Sequence, residues 1–170
     1  MTRSDIYFSD NFFSAGLTDI YDEHKQIIGT LDLKSAFTSS VTVLDTSQNI
    51  VCEGRFRTLS NRWVVTDHAG NELGVLRQRM SFFSKKFEYE AGARGYIAIE
   101  SEAFSRDYQL LDESGNTVAE FEKISGFFQS PAYRLSNLSD VFSDSELVAV
   151  VMGINMIQKR NSASAGNAAT

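Results

Sequence analysis

From residue 7 to residue 138 the chain alternates short runs of Val, Leu, Ile and aromatic residues with polar turn phrases; after Ser143 this gives way to one continuous apolar run. Two stretches 45 positions apart align without a gap: VVTDHAGNELGVLRQRMSFF lies over QLLDESGNTVAEFEKISGFF, so that Asp67, Gly70, Asn71, Phe82 and Phe83 recur as Asp112, Gly115, Asn116, Phe127 and Phe128. The Asp-x-x-Gly-Asn phrase predicts a hairpin turn, because the Asp carboxylate bonds the backbone two residues on while Gly and Asn tolerate positive φ. Weaker copies place Asp45 22 residues before Asp67, and Asp22 23 residues before that. A step of about 22 residues is one hairpin plus its link, which gives roughly six hairpins and twelve strands in an antiparallel meander. So many short strands leave exposed edges unless the sheet closes, and a closed barrel follows.

The apolar run closes the pattern. Asp144-Ser145-Glu146 reads as a capped helix start, and Leu147 to Ile157 is apolar on nearly every face. A helix hydrophobic all round is buried in protein or in lipid. This run is about half the roughly 20 residues of a membrane span, so burial inside the barrel is favoured over an interfacial anchor. Gly153 would permit close approach to a strand, and Asn155 would need a buried partner or the barrel mouth. Lys159 and Arg160 are expected to end the helix, leaving residues 161–170 as a flexible tail. The expected fold is therefore all-β with one central helix: a single domain over residues 1–160, a twelve-stranded antiparallel closed barrel around an apolar C-terminal α-helix.

Composition narrows the function. A chain of 170 residues, 42% hydrophobic with 13 Phe and one Pro, folds as one domain. The lone Cys52 makes no internal disulfide, and MTRSDIYFSDNFF lacks the apolar run of a signal peptide, so a cytoplasmic protein is expected. A net charge of −6 argues against nucleic acid as a partner. His24 and His68 fall in predicted turns, apart from Cys52 in a strand. No catalytic residue, metal site or cofactor is expected, and the chain is read as a non-enzyme.

The Asp-x-x-Gly-Asn hairpins trailed by Phe-Phe, the Trp63-Val64-Val65-x-Asp67 strand and the final apolar helix resemble the LURP-one-related proteins, relatives of the Tubby C-terminal domain and of phospholipid scramblases. The resemblance covers about residues 6–160. It implies a twelve-stranded barrel threaded by the C-terminal helix, and a role in binding rather than catalysis: Tubby domains bind phosphoinositides and scramblase relatives act at membranes. No binding residue transfers by motif.

Charge is uneven along the chain. Between Arg55 and Lys86 lie seven basic residues, Arg55, Arg57, Arg62, Arg77, Arg79, Lys85 and Lys86, against Asp67 and Glu72, a segment of +5 within a protein of −6. Arg77 and Arg79 are two apart on a strand and share its outer face. One reading is an anion patch that holds a phospholipid headgroup or another phosphorylated ligand, with the protein peripheral at a membrane. Another is a solvated face that discourages edge pairing, with Phe82-Phe83 and Phe127-Phe128 as structural packing. Two functions remain open: a lipid or phosphate-binding scaffold, and a protein-interaction module with no lipid ligand. A barrel enclosing a small apolar ligand is a third, disfavoured because the helix would fill it.

Overall fold

A computed structural model of the protein describes residues 3–14, 16–33, 40–80, 84–102 and 106–167. Its strands are β1 (Ser4–Ser9), β2 (Gly16–Tyr21), β3 (Ile27–Leu33), β4 (Ser40–Leu44), β5 (Ile50–Phe56) and β6 (Trp63–Asp67). They continue with β7 (Glu72–Arg79), β8 (Ser84–Glu90), β9 (Tyr96–Glu102), β10 (Tyr108–Leu111), β11 (Thr117–Ile124) and β12 (Ala132–Asn137). Each pairs antiparallel with the next. β1 closes on β12 with Ser4 opposite Asn137 and Ser9 opposite Ala132. The twelve-stranded closed barrel expected from the repeat is borne out.

The Asp turns set the register. In the β2–β3, β4–β5, β6–β7 and β10–β11 hairpins, one oxygen of Asp22, Asp45, Asp67 or Asp112 accepts the backbone N–H groups two and four residues on, all at 2.8–2.9 Å. The fourth position of each turn is left-handed, with φ of 61° at Lys25, 64° at Gln48, 82° at Gly70 and 81° at Gly115. Each turn is accompanied by a one-residue register shift in the flanking ladder. The β8–β9 turn takes a similar backbone path without an aspartate: Ala91 N–H donates to Gly95 O at 2.8 Å, and Arg94 N–H to Ala91 O at 3.2 Å.

α1 (Asp144–Asn167) threads the barrel. Glu146 to Ile157 is buried without interruption, so three helical turns are enclosed, and this is why the run is apolar on every face. Ser143 caps it, its hydroxyl accepting from Glu146 N–H at 3.3 Å. The helix runs on to Asn167, past the end expected at Arg160, and residues 161–167 are helical rather than a loose tail. Arg160 does not terminate the helix: it donates to Ser60 O at 3.0 Å and covers the Phe56 ring at 4.5 Å, bracing the β5–β6 loop. The Ala and Ser residues beyond it are compatible with helix once that brace has extended the template.

Glycines permit two close approaches in the core, one of them between helix and sheet. Trp63 lies between Gly54 of β5 and Gly153 of α1, where an added Cβ would stand 2.6 Å and 2.4 Å from the indole. Its Nε1 donates to Ala149 O at 3.0 Å. Gly74 makes the equivalent room for Tyr89, whose ring would lie 2.5 Å from a Cβ there. Phe127 and Phe128 pack outside the barrel, Phe127 stacked on Tyr7 at 3.8 Å and Phe128 edge-on to Tyr21 at 5.0 Å. They are packing residues. Phe82 and Phe83 lie outside the described residues.

Candidate functional site

The outer faces of β5 to β8 carry the predicted basic residues, and the sheet sorts them. Arg77 and Arg79 project from alternate positions of β7 as expected, but both reach Glu88 of β8, Arg77 through both Nε and Nη2. Lys86 pairs with Glu100 of β9 at 2.9 Å, and Arg57 with Glu72 at 3.0 Å. Arg55 and Arg62 are exposed and make no ion pair among the described residues. The Lys85 side chain lies outside the described residues. A sequence window ending at Lys86 counts the cations and omits Glu88, Glu90 and Glu100, which strand pairing brings beside them. The +5 of the linear segment is thus largely neutralised on the surface.

Part of the patch, most of it ion-paired, lines one concavity. A groove of about 540 Å³ runs between the β5–β6 loop and the β8–β9 turn, floored by Leu73, Gly74 and Val75 of β7. Arg57, Arg62, Arg77 and Arg94 line it, with Glu72 and Glu90. Three of the predicted patch residues are therefore gathered; Arg55, Arg79 and Lys86 lie outside the lining. The volume falls within the range of small-ligand sites. Guanidinium groups present planar forked donors suited to phosphate and carboxylate oxygens.

Arg94 is the residue that sequence reasoning missed, because it lies eight positions beyond the basic window in a turn with no aspartate. It is also the best anchored. Its Nη1 and Nη2 donate to Glu146 Oε2 and Oε1 at 2.8 and 2.7 Å, and Nη2 also donates to Leu73 O at 2.7 Å. The guanidinium lies 5.0 Å over the Phe142 ring. Glu146 is the third residue after the Ser143 cap, the position whose carboxylate often turns back to its own helix end. Here it points into the barrel instead, its side chain 3% exposed, accepting from Arg94 and from Tyr89 Oη at 2.6 Å. These hydrogen bonds hold the Arg94 pKa above its ordinary value, and burial pushes the Tyr89 hydroxyl well up, so the arginine is charged and the tyrosine a neutral donor. The groove wall is thereby fixed to the first turn of the central helix.

Other chemistry is dispersed. Cys52 is buried, its thiol pushed up to about 12 by desolvation and then by the charge of Glu146. His24 and His68 stand exposed on separate hairpin turns. Among the described residues no group of three or more His, Cys, Asp and Glu is gathered as a metal would require. No helix among the described residues is long and apolar enough to cross a membrane. A smaller recess of about 250 Å³ sits beside the helix start, lined mainly by Ile6, Ile20, Ile28, Val43, Val51 and Val148.

The antiparallel twelve-stranded barrel filled by its own C-terminal helix is the architecture that the family resemblance implies. The LURP-one-related family model matches residues 8–152, and the chain belongs to that family. A protein of Arabidopsis thaliana with a solved X-ray structure is similar in fold: TM-score 0.62, 14% identity, covering 90% of this chain and 91% of that one. A comparison with curated proteins returns no match.

Proposed function

We propose that this chain is a non-catalytic binding domain that holds an anionic group, a phospholipid headgroup or another phosphorylated ligand, in the arginine-lined groove. The observation that carries this reading is the convergence of Arg57, Arg62, Arg77 and Arg94 on one concavity, with Arg94 held in place by a buried carboxylate. A preorganised guanidinium loses little side-chain entropy on binding and retains donors for a ligand oxygen. The family's kinship with membrane-acting barrels points the same way. The non-catalytic part of the reading is supported by the buried, inert Cys52 thiol and by the exposure of His24 and His68 on hairpin turns.

The test is titration with inositol hexakisphosphate, a soluble polyphosphate, at low and high salt. Native protein is expected to bind with strong salt dependence, and Arg62→Glu/Arg77→Glu to bind about tenfold more weakly or worse. Equal affinity of the two proteins, or no binding by either, refutes the groove as an anion site.

One observation favours the protein-interaction reading. Ile27, Ile28, Ile50 and Val51 are exposed apolar side chains at the starts of β3 and β5, beside the acidic Asp22 and Asp45 turns. A basic amphipathic segment matches such a surface. Recovery of a stoichiometric partner by native protein, lost in Ile28→Ser/Val51→Ser, distinguishes this reading.

A further inference from the structure

Two large apolar side chains are almost wholly in solvent, and both stand at the end of the barrel from which α1 emerges. Leu59, in the β5–β6 loop, is 100% exposed and Met80, directly after β7, 97%. Leu59 has φ of 56°, a left-handed conformation that costs a leucine about 1 kcal/mol. The loop holding it is well tied. Arg57 N–H donates to Arg62 O at 2.9 Å, Ser60 N–H to Arg57 O at 3.1 Å, and Arg160 of α1 to Ser60 O. Asn161 joins this loop to the end of β7, accepting from Asn61 Nδ2 at 2.8 Å and donating to Gln78 Oε1. Leu59 and Met80 are each two residues from those tied positions, so the same asparagine holds both presenting segments together.

Their surroundings are basic. Arg57 and Arg62 are the two ends of the loop whose tip is Leu59, Arg79 precedes Met80, and Arg160 lies behind the loop. Arg62 makes no ion pair among the described residues, while Glu72 and Glu88 take up Arg57 and Arg79 from the side of the barrel. Apolar tips framed by guanidinium groups match an anionic bilayer, which offers acyl chains beneath a layer of phosphates.

We infer that the protein docks on an anionic bilayer by this end, burying Leu59 and Met80 among the headgroups while Arg57 and Arg62 engage lipid phosphates. This rests on the groove being an anion site. Of the groove's arginines, Arg57 and Arg62 stand at this end and Arg94 toward the helix start, so the inference adds a source of the anion, a lipid rather than a free phosphate, for the part of the groove beside the β5–β6 loop.

The experiment compares the native chain with Leu59→Ser/Met80→Ser in co-sedimentation with vesicles of phosphatidylcholine containing phosphatidylserine, alongside inositol hexakisphosphate titration. Neither side chain packs in the core, so the variant should melt like the native chain. The expected result is vesicle affinity lower by about tenfold or more, the size of effect from withdrawing two buried apolar side chains, with polyphosphate affinity unchanged. In Leu59→Trp, quenching of the new indole by brominated lipid should report insertion against the barrel-buried Trp63. Equal vesicle binding by native and serine variant, or none by the native chain, overturns the docking. If polyphosphate still binds in that case, the groove reading stands alone; if it does not, both fall.

Discussion

Glu146 shows how one side chain serves two structures. It sits in the first turn of a helix, where a carboxylate meets the positive end of the macrodipole, and it also terminates a network from Arg94 and Tyr89. Breaking a buried pair from one side leaves its partner uncompensated. Glu146→Ala should lower stability by about 3 kcal/mol in urea unfolding and loosen Arg94, so polyphosphate affinity should fall as well. Cys52 tests the same interior. With its thiol pushed up to about 12, the thiolate fraction at pH 8 is ~10⁻⁴, so labelling by iodoacetamide should proceed only as fast as the protein unfolds. Rapid labelling of native protein would place Cys52 in solvent. The glycines give a sharper contrast. Gly153→Ala adds helix propensity but sets a Cβ 2.4 Å from the Trp63 ring, and should destabilise by about 2 kcal/mol. Gly166→Ala, in open space on the same helix, should be neutral or slightly stabilising. Close packing at Gly153 was legible in the sequence. That it faces Trp63, with Gly54 on the other side of the ring, was not, since nothing local to Trp63 announces a partner 90 residues away.

At the scale of elements, the hairpins were legible because each recognised turn carries its own cause. An aspartate oxygen that collects two backbone N–H groups forces the same path whether the left-handed residue is Gly70, Gly115, Gln48 or Lys25. The β8–β9 hairpin reaches a similar path through Gly92 and Gly95, with Ala91 in the aspartate position, and so left no mark in the repeat. Arg94 was overlooked with it. The basic patch failed for a different reason: summing charge along the chain samples one strand after another, whereas ion pairs such as Arg77 with Glu88 form across strands. The turns also predict an acid response. The carboxyls of Asp67 and Asp112 are held below the ordinary range first by the side chains of Asn71 and Asn116, and that of Asp45 first by the backbone N–H of Asn49. A depressed folded pKa means that this stabilisation is complete above the unfolded value near pH 4 and is lost as pH falls through the folded value. Thermal melts from about pH 6 downward should therefore show Tm holding and then dropping below about pH 4, with a shallower drop in Asp67→Asn/Asp112→Asn. An identical acid profile in that variant would remove the turns as the cause.

For the whole molecule, the barrel and its helix are one core. Most strand pairs join neighbours in sequence, but β1 with β12 spans nearly the full chain, and α1 reaches back across the chain to pack on β4 to β7. Ser4 Oγ donates to Asp144 Oδ1 at 2.7 Å, and Asn137 Nδ2 donates to the same oxygen at 2.8 Å, so the seam of the barrel is tied to the helix start. Closure and insertion are thus coupled: neither buries its apolar surface without the other, and a two-state transition is expected. The inner faces of β4 to β8 present Val41, Cys52, Trp63, Leu76 and Tyr89 toward a space that only Leu147 to Ile157 fills. Val150, fully buried on the enclosed part of the helix, is the most economical probe. An unpaired carboxylate there costs several kcal/mol, comparable with the stability of a domain this size. Val150→Asp should therefore lose the near-ultraviolet dichroism of Trp63 and its neighbours and show no cooperative urea transition. A chain ending at Leu138 should do the same, because the empty barrel would enclose unpaired apolar walls. If the truncated chain instead melts cooperatively with strand dichroism intact, the sheet closes without its helix, and α1 becomes a removable occupant of a preformed cavity rather than the core of the fold.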